Sequence, residues 1–415
     1  MLYLCGILQR CSFFLLLRVA CWFKMLYICG VLAKNYLMET FSKLTAFISR
    51  KQNLVFIFVI FALLASLQGL LLHKYNNYTI FEKSFYHLKT YQDLYVLYPS
   101  EQWDLYKYTP TFSVFFGIFH TLPDWLGLSL WNVLNALALL YAIYYLPKFT
   151  DTQKGLALII VLIELMTSMQ NAQANALMAG LMIFSFGLME KDKPFLATLS
   201  LVLSIFIKLF SVVCFVLFLF YPKKWKIALY ALFWTLVLSL LPLLFVDFPQ
   251  YLALHQSYLN LLANDHDISY GYSVMGWLHT WFSLDVNKNM VVLLGACVFL
   301  LPFAKIKQYK NLSFRYLMLY SLLLWVIIFN HKAESPTFVI AMSAVALWFL
   351  QADKNKLNIF LFISAFVLTS LSPTDIFPQY LREEFVKPYC LKAVPCIFIW
   401  FRIMYDSFRQ IRKQA

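Results

Sequence analysis

Asn76-Asn77-Tyr78 … Gln92-Asp93-Leu94-Tyr95 … Asp104-Leu105-Tyr106-Lys107-Tyr108-Thr109-Pro110 is a long polar, tyrosine-rich passage in the first half of a chain that is otherwise apolar. It follows the first convincing membrane span, residues 53–73, and it decides how the rest is read. Of the 415 residues, 62% are hydrophobic and 13% charged, with a mean hydropathy of +0.69. Soluble domains carry about 25% charged residues. Apolar runs recur along nearly the whole length and lack the alternation of barrel strands, so the expectation is an all-α polytopic membrane protein.

The clearest spans fall at about 53–73, 126–147, 226–246, 289–304, 337–351, 357–372 and 391–406. Shorter apolar runs lie at about 155–168, 176–189, 194–207, 208–221 and 316–329. Together they predict a bundle of about 12 transmembrane helices, the shorter ones tilted or in thinned bilayer because a perpendicular span needs about 20 residues. Ile207-Lys208-Leu209 is read as the tip of a hairpin, because one long helix would leave a lone lysine in mid-membrane. Residues 110–122, bounded by Pro110 and Pro123, are read as an interfacial helix.

Charge sets the orientation. With residues 43–52 in the cytoplasm, the cytoplasmic loops take Lys148 and Lys154, Lys191 and Lys193, Lys223 to Lys226, Lys305 to Arg315, Lys354 and Lys356, and the terminal basic residues. That is the majority of the 34 basic residues, while most of the 20 acids fall on the other side. The net charge of +14 therefore speaks for orienting loops; no nucleic-acid partner is expected. Three regions result: 1–37, an uncertain N-terminal extension compatible with an early start; 38–406, a single transmembrane domain; and 407–415, a basic cytoplasmic tail. The eight cysteines show neither zinc spacing nor a disulfide framework.

In this topology the polar residues gather on the outer face. The first loop offers Asn77, Glu82, Asp93, Asp104, Lys107 and Tyr108; later turns add Gln173, Asn175, Lys208, Ser273, His331, Lys332 and Glu334, and the stretch 372–388 lies on the same face. Amides and carboxylates bind sugar hydroxyls, and lysine or histidine offers charge to a phosphate. A carboxylate near an acceptor hydroxyl can take its proton. Blander roles weigh against each of them: Gln173 and Asn175 suit a helix cap, Lys208 suits snorkelling, and Trp103, Trp125, Trp277 and Trp281 suit an aromatic belt. Glu164, an acid inside an apolar helix, calls either for a function or for a polar partner on a neighbouring helix. No glycine-rich phosphate loop, H-E-x-x-H or Ser-His-Asp cue is present, and no cofactor or metal is expected. Without a nucleotide-binding domain, an activated sugar donor has to be lipid-linked.

The order and spacing of these pieces resemble the GT-C class of membrane glycosyltransferases, and within it glycosyltransferase family 87, the polyprenyl-phosphate-mannose-dependent mannosyltransferase-like proteins. The matching pieces are Asp93-Leu94-Tyr95, Tyr106 to Pro110, Leu130-Trp131-Asn132-Val133-Leu134-Asn135, Ala172-Gln173-Ala174-Asn175, Ile207 to Phe210 with Lys223-Lys224-Trp225, and Tyr272 to Gly276. They cover about residues 53–290. The resemblance implies a GT-C-like bundle in a bacterial inner membrane. It further implies inverting transfer of a hexose such as mannose from a polyprenyl-phosphate donor to a glycan or glycolipid acceptor, at the periplasmic face, with a first-loop aspartate as base. One departure stands out. Asn77-Tyr78-Thr79-Ile80-Phe81 occupies the pattern in which the family commonly places that aspartate. Asp93, then Asp104, with Glu82 as a further candidate, are the expected bases. A flippase for polyprenyl-linked saccharides and an inactive membrane-assembly subunit are the alternative functions.

Overall fold

The computed structural model describes residues 50–264 and 269–409; the 1–37 extension and the end of the basic tail lie outside them. The described residues are helical, with no strand. Four helices are long and apolar enough to cross a membrane: Lys51–Leu72 (α1), Asp124–Tyr145 (α5), Asp151–Gln170 (α6) and the segment Lys224–Leu244. The remaining apolar stretches also form helices, most of them between 10 and 17 residues long. On Lys224–Ser239 (α9), Leu229, Leu232 and Leu236 are exposed. Water would penalise such a face, and lipid does not.

Sequence reading shortened α6 to 155–168. The helix begins four residues earlier because Thr150 forms a capping box with Gln153, so its first turn is polar but helical. Between α1 and α5, the polar passage folds into Asn76–Lys89 (α2), an irregular stretch, and two short helices, Pro110–Phe115 (α3) and Gly117–His120 (α4). The segment 110–122 is therefore not one helix. Pro110, Thr111, Phe112 and Ser113 are buried in protein, where the α2 residue Phe81 meets Tyr108, Phe112, Phe116 and Trp131 edge-on.

Asn175–Glu190 (α7) and Pro194–Ile207 (α8) follow α6. Gly180 lets α7 approach α5 backbone to backbone, since a Cβ there would lie 2.7 Å from the Ala138 carbonyl carbon. Such small-residue contacts replace the hydrophobic drive that lipid does not supply. Helix α8 stops at Ile207, Lys208 is extended, and a 3-10 segment, Leu209–Phe220, runs on. The break falls where the hairpin was expected.

Beyond α9 lie Phe248–Asn264 (α10), Val274–Phe282 (α11), Lys288–Leu300 (α12), Leu312–Ile328 (α13), Phe338–Gln351 (α14), Lys356–Ala365 (α15) and Val394–Arg409 (α16). Helix α14 forms the centre, buried from Phe338 to Trp348, and packs against α6 and α13. At the end away from the polar loops, Arg315 on α13 forks onto Glu190 of α7 with two bonds of 2.6 Å.

Candidate active site

A cavity of about 770 Å³ opens where α1, α2 and α6 meet the turns at 335–336 and 373–376. Ligand sites commonly fall between 300 and 1,000 Å³. Its wall is apolar along Phe61, Leu64, Leu67, Ile163 and Met166, and its mouth is polar, with Lys74, Asn76, Asn77, Gln170, Asn171 and Asp375.

Local sequence builds this mouth. Helix α1 ends when His73 takes a left-handed φ of 50°, and the Lys74 amide then bonds back to the Gly69 carbonyl. The chain turns at once into α2, which sets Asn76 and Asn77 at the rim. Asn76 Oδ1 accepts the Trp103 amide at 3.2 Å, and Asn77 Nδ2 donates to the Asn171 carbonyl at 2.8 Å. Trp103 therefore lies on the rim, 77% exposed.

Behind the rim stands a second polar group. Gln173 Nε2 donates to Glu334 Oε2 at 2.8 Å, Asn175 Nδ2 donates to Gln173 Oε1, and Lys208 Nζ reaches Asn175 Oδ1 at 3.4 Å. Lys208 also lies 5.3 Å above the Tyr108 ring. The structure thus brings together five of the residues singled out in the sequence: Gln173, Asn175, Lys208, Glu334 and Tyr108. Neither amide caps α7; the helix starts after Ala174 without a side-chain cap. Burial lowers the Lys208 pKa, with Glu334 opposing the shift and Lys107 adding to it.

The quoted motifs hold this group in place. Trp131 Nε1 donates to the carbonyl of Ala172, whose φ is 50°, and Asn135 Oδ1 accepts the Leu177 amide, both at 2.9 Å. Together they clamp the 172–177 turn. Thr109 Oγ1 bonds the Phe206 carbonyl, one residue before Ile207, and Tyr106 hydroxyl donates to the Thr109 carbonyl at 2.7 Å. The Tyr-Lys-Tyr-Thr-Pro passage therefore positions Lys208.

Other candidates stand apart from the cavity lining. Asp93 has both carboxylate oxygens engaged: Oδ1 accepts the Tyr95 amide at 3.0 Å and Oδ2 accepts Ser257 hydroxyl of α10 at 2.7 Å. Asp104 is 39% exposed and pairs with Lys107 at 3.1 Å. Glu82 is buried against His120 at 2.5 Å. Ser273 caps α11, accepting the Gly276 amide at 3.2 Å. His331 and Lys332 sit in the 330–334 turn, against which Gly271 packs so closely that a Cβ would be 2.6 Å from the His331 carbonyl oxygen. Glu164, inside α6, bonds Lys392 Nζ at 2.7 Å, the partnered alternative for that acid.

Sequence reasoning passed over Gln68, Lys74 and Gln170 and held Asp375 only within the outer stretch 372–388; all four line the cavity. Gln68 and Gln170 had a signal, as amides at the ends of apolar spans, and they bond each other at 2.7 Å.

The sequence profile of glycosyltransferase family 87 matches residues 106–373. This chain belongs to that family. It is accordingly a membrane glycosyltransferase by family, with a sugar donor and an acceptor as its substrates. A search of curated proteins found no match to it. The profile begins after α2, so Asn77 and the α1 wall of the cavity lie outside the matched residues, whereas the Gln173–Lys208–Glu334 group lies within them.

Proposed function

We propose that this family 87 glycosyltransferase moves a hexose, such as mannose, from a polyprenyl-phosphate donor to a hydroxyl of a glycan or glycolipid acceptor. The reaction takes place at the periplasmic face of a bacterial inner membrane, within a bundle of about 12 spans. One observation carries this reading: the cavity joins an apolar wall, built by two membrane-crossing helices, to a mouth of amides, a lysine and a carboxylate. That combination fits a ligand that is hydrocarbon at one end and phosphosugar at the other. The volume suits the headgroup and the first isoprene units, with the remaining chain running into lipid.

Asn76, Asn77, Gln170 and Asn171 supply the donors and acceptors that sugar hydroxyls require, and Lys74 supplies positive charge for the phosphate. The Gln173–Lys208–Glu334 group stands one residue behind the lining at Ser335 and two behind it at Asn171, and adds a half-buried cation to the same end of the bundle. In the transfer, the acceptor oxygen forms a bond to the anomeric carbon as the bond to the phosphate oxygen breaks. The electron pair leaves on polyprenyl phosphate, and the acceptor proton passes to a carboxylate.

The test is reconstitution of the purified protein in liposomes with radiolabelled polyprenyl-phosphate hexoses and a panel of hydroxyl acceptors. Consumption of one donor with release of polyprenyl phosphate is expected. If every donor is recovered intact while a nucleotide sugar is consumed, the reading is wrong.

A further inference from the structure

We propose that Asp375 is the general base of the transfer, an assignment that rests on the glycosyltransferase reading above. Removing a proton from the attacking hydroxyl requires a group within hydrogen-bond reach of it. Asp375 is the one carboxylate among the described residues lining the cavity. Its side chain is 59% exposed in a turn that otherwise closes the cavity with Pro373, Thr374 and Ile376.

The turn is fixed locally. Thr374 amide bonds the Leu371 carbonyl at 3.0 Å, and Phe377 amide bonds the Thr374 carbonyl at 3.1 Å. Arg382 Nη1 donates to Asp375 Oδ1 at 2.6 Å and orients the carboxylate. Among the described residues Oδ1 alone of its oxygens is bonded, which leaves Oδ2 for an acceptor hydroxyl. Elsewhere on the rim Asn76 and Asn77 are amides whose side chains already bond Trp103 and Asn171. The rim nearest the first span therefore offers recognition, and the 373–376 turn offers the base.

His73 is the other lining group able to take a proton. A protonated imidazole would oppose the positive charge that develops on the sugar ring, whereas a carboxylate offsets it. The matched profile ends at residue 373, two residues before Asp375, so the family match does not assign this position.

In the step, the acceptor hydroxyl proton moves to Asp375 Oδ2 while its oxygen bonds the anomeric carbon. The phosphate leaves with the electron pair of the broken bond, and Asp375 returns the proton to water afterwards.

The experiment uses the full chain in liposomes with the polyprenyl-phosphate hexose that the wild type consumes. Asp375→Asn is expected to lower kcat by about 10²–10⁴-fold with donor affinity unchanged. His73→Gln is expected to lose far less kcat than Asp375→Asn. A folded Asp375→Asn protein with near wild-type kcat overturns the assignment, as does a His73→Gln protein that is inactive while Asp375→Asn is active. Should Asp375→Asn not fold, Asp375→Glu is read instead: a kcat loss at constant donor KM is expected, and an unchanged kcat overturns the proposal. A wild type that consumes no polyprenyl-phosphate sugar defeats the parent reading, and this one with it.

Discussion

Lys392 Nζ donates to Glu164 Oε1 at 2.7 Å, with the two side chains 1% and 0% exposed and 228 residues apart in sequence. The pair ties the segment leading into α16 to the middle of α6, one of the two helices forming the apolar wall of the cavity. Thr369 Oγ1 reinforces it by donating to the Lys392 carbonyl at 2.8 Å. Removing one partner of a buried pair leaves the other charge uncompensated, at a cost of about 3–5 kcal/mol. Lys392→Met is therefore expected to unfold in detergent well below the wild type. The double variant Glu164→Leu/Lys392→Met is expected to recover most of that loss. Chemical or thermal unfolding curves of the three proteins check this; equal loss in single and double variants would contradict it.

Asp93 is expected to matter for stability rather than for the chemical step. Its two oxygens hold the 93–95 turn and Ser257 of α10. Asp93→Ala leaves two donors without an acceptor, a loss of about 1–3 kcal/mol. Transfer per folded molecule is expected to stay within about threefold of wild type. Parallel measurement of melting and of activity in the folded fraction separates the two effects.

The helices were legible because lipid imposes one pattern, a long apolar run with every backbone group bonded internally. Even so, α6 was shortened, since its capping box is polar. The parts of the candidate site that came forward were those in compact motifs: Gln173 with Asn175, Lys208 at a helix break, and the tyrosines before Pro110. What those motifs do was not legible. Trp131 and Asn135 serve a turn some forty residues away by binding its backbone, and no local pattern announces that. Asp375 left even less trace. It lies in a short turn between helices, and its significance arises only where α1, α2 and α6 converge on the same cavity. Glu164 was conspicuous, but Lys392 was not, because a lysine near the start of a span passes for an ordinary flank.

His87 gives the first-loop structure a dependence on pH. It stacks on Tyr98 with ring centroids 3.9 Å apart and bonds Glu101 at 3.0 Å, tying α2 to the 98–101 turn. Burial lowers its pKa below the ordinary 6.5, and Glu101 opposes that shift only in part. In the window between the lowered value and 6.5, the unfolded chain binds the proton and the folded chain does not, so stability rises with pH there. Stability is accordingly expected to fall as the pH drops below about 6.5, and His87→Gln is expected to flatten that part of the curve. Melting temperatures across pH 5–8, about the range in which histidine titrates, decide it.

Trp103 faces the cavity mouth while its amide is held by Asn76. A belt residue and a sugar platform differ in what their loss changes. If the indole packs on the transferred sugar or its acceptor, Trp103→Ala removes contact made equally in the ground and transition states, raising KM with kcat nearly unchanged. Aromatic packing of this kind contributes about 0.5–1.5 kcal/mol, so a rise of about three- to tenfold is expected. Trp125, exposed but outside the cavity lining, is the control. Trp125→Ala is expected to leave KM alone. Equal effects at both positions would assign Trp103 to the membrane interface, because only a ligand in the cavity distinguishes one exposed indole from the other.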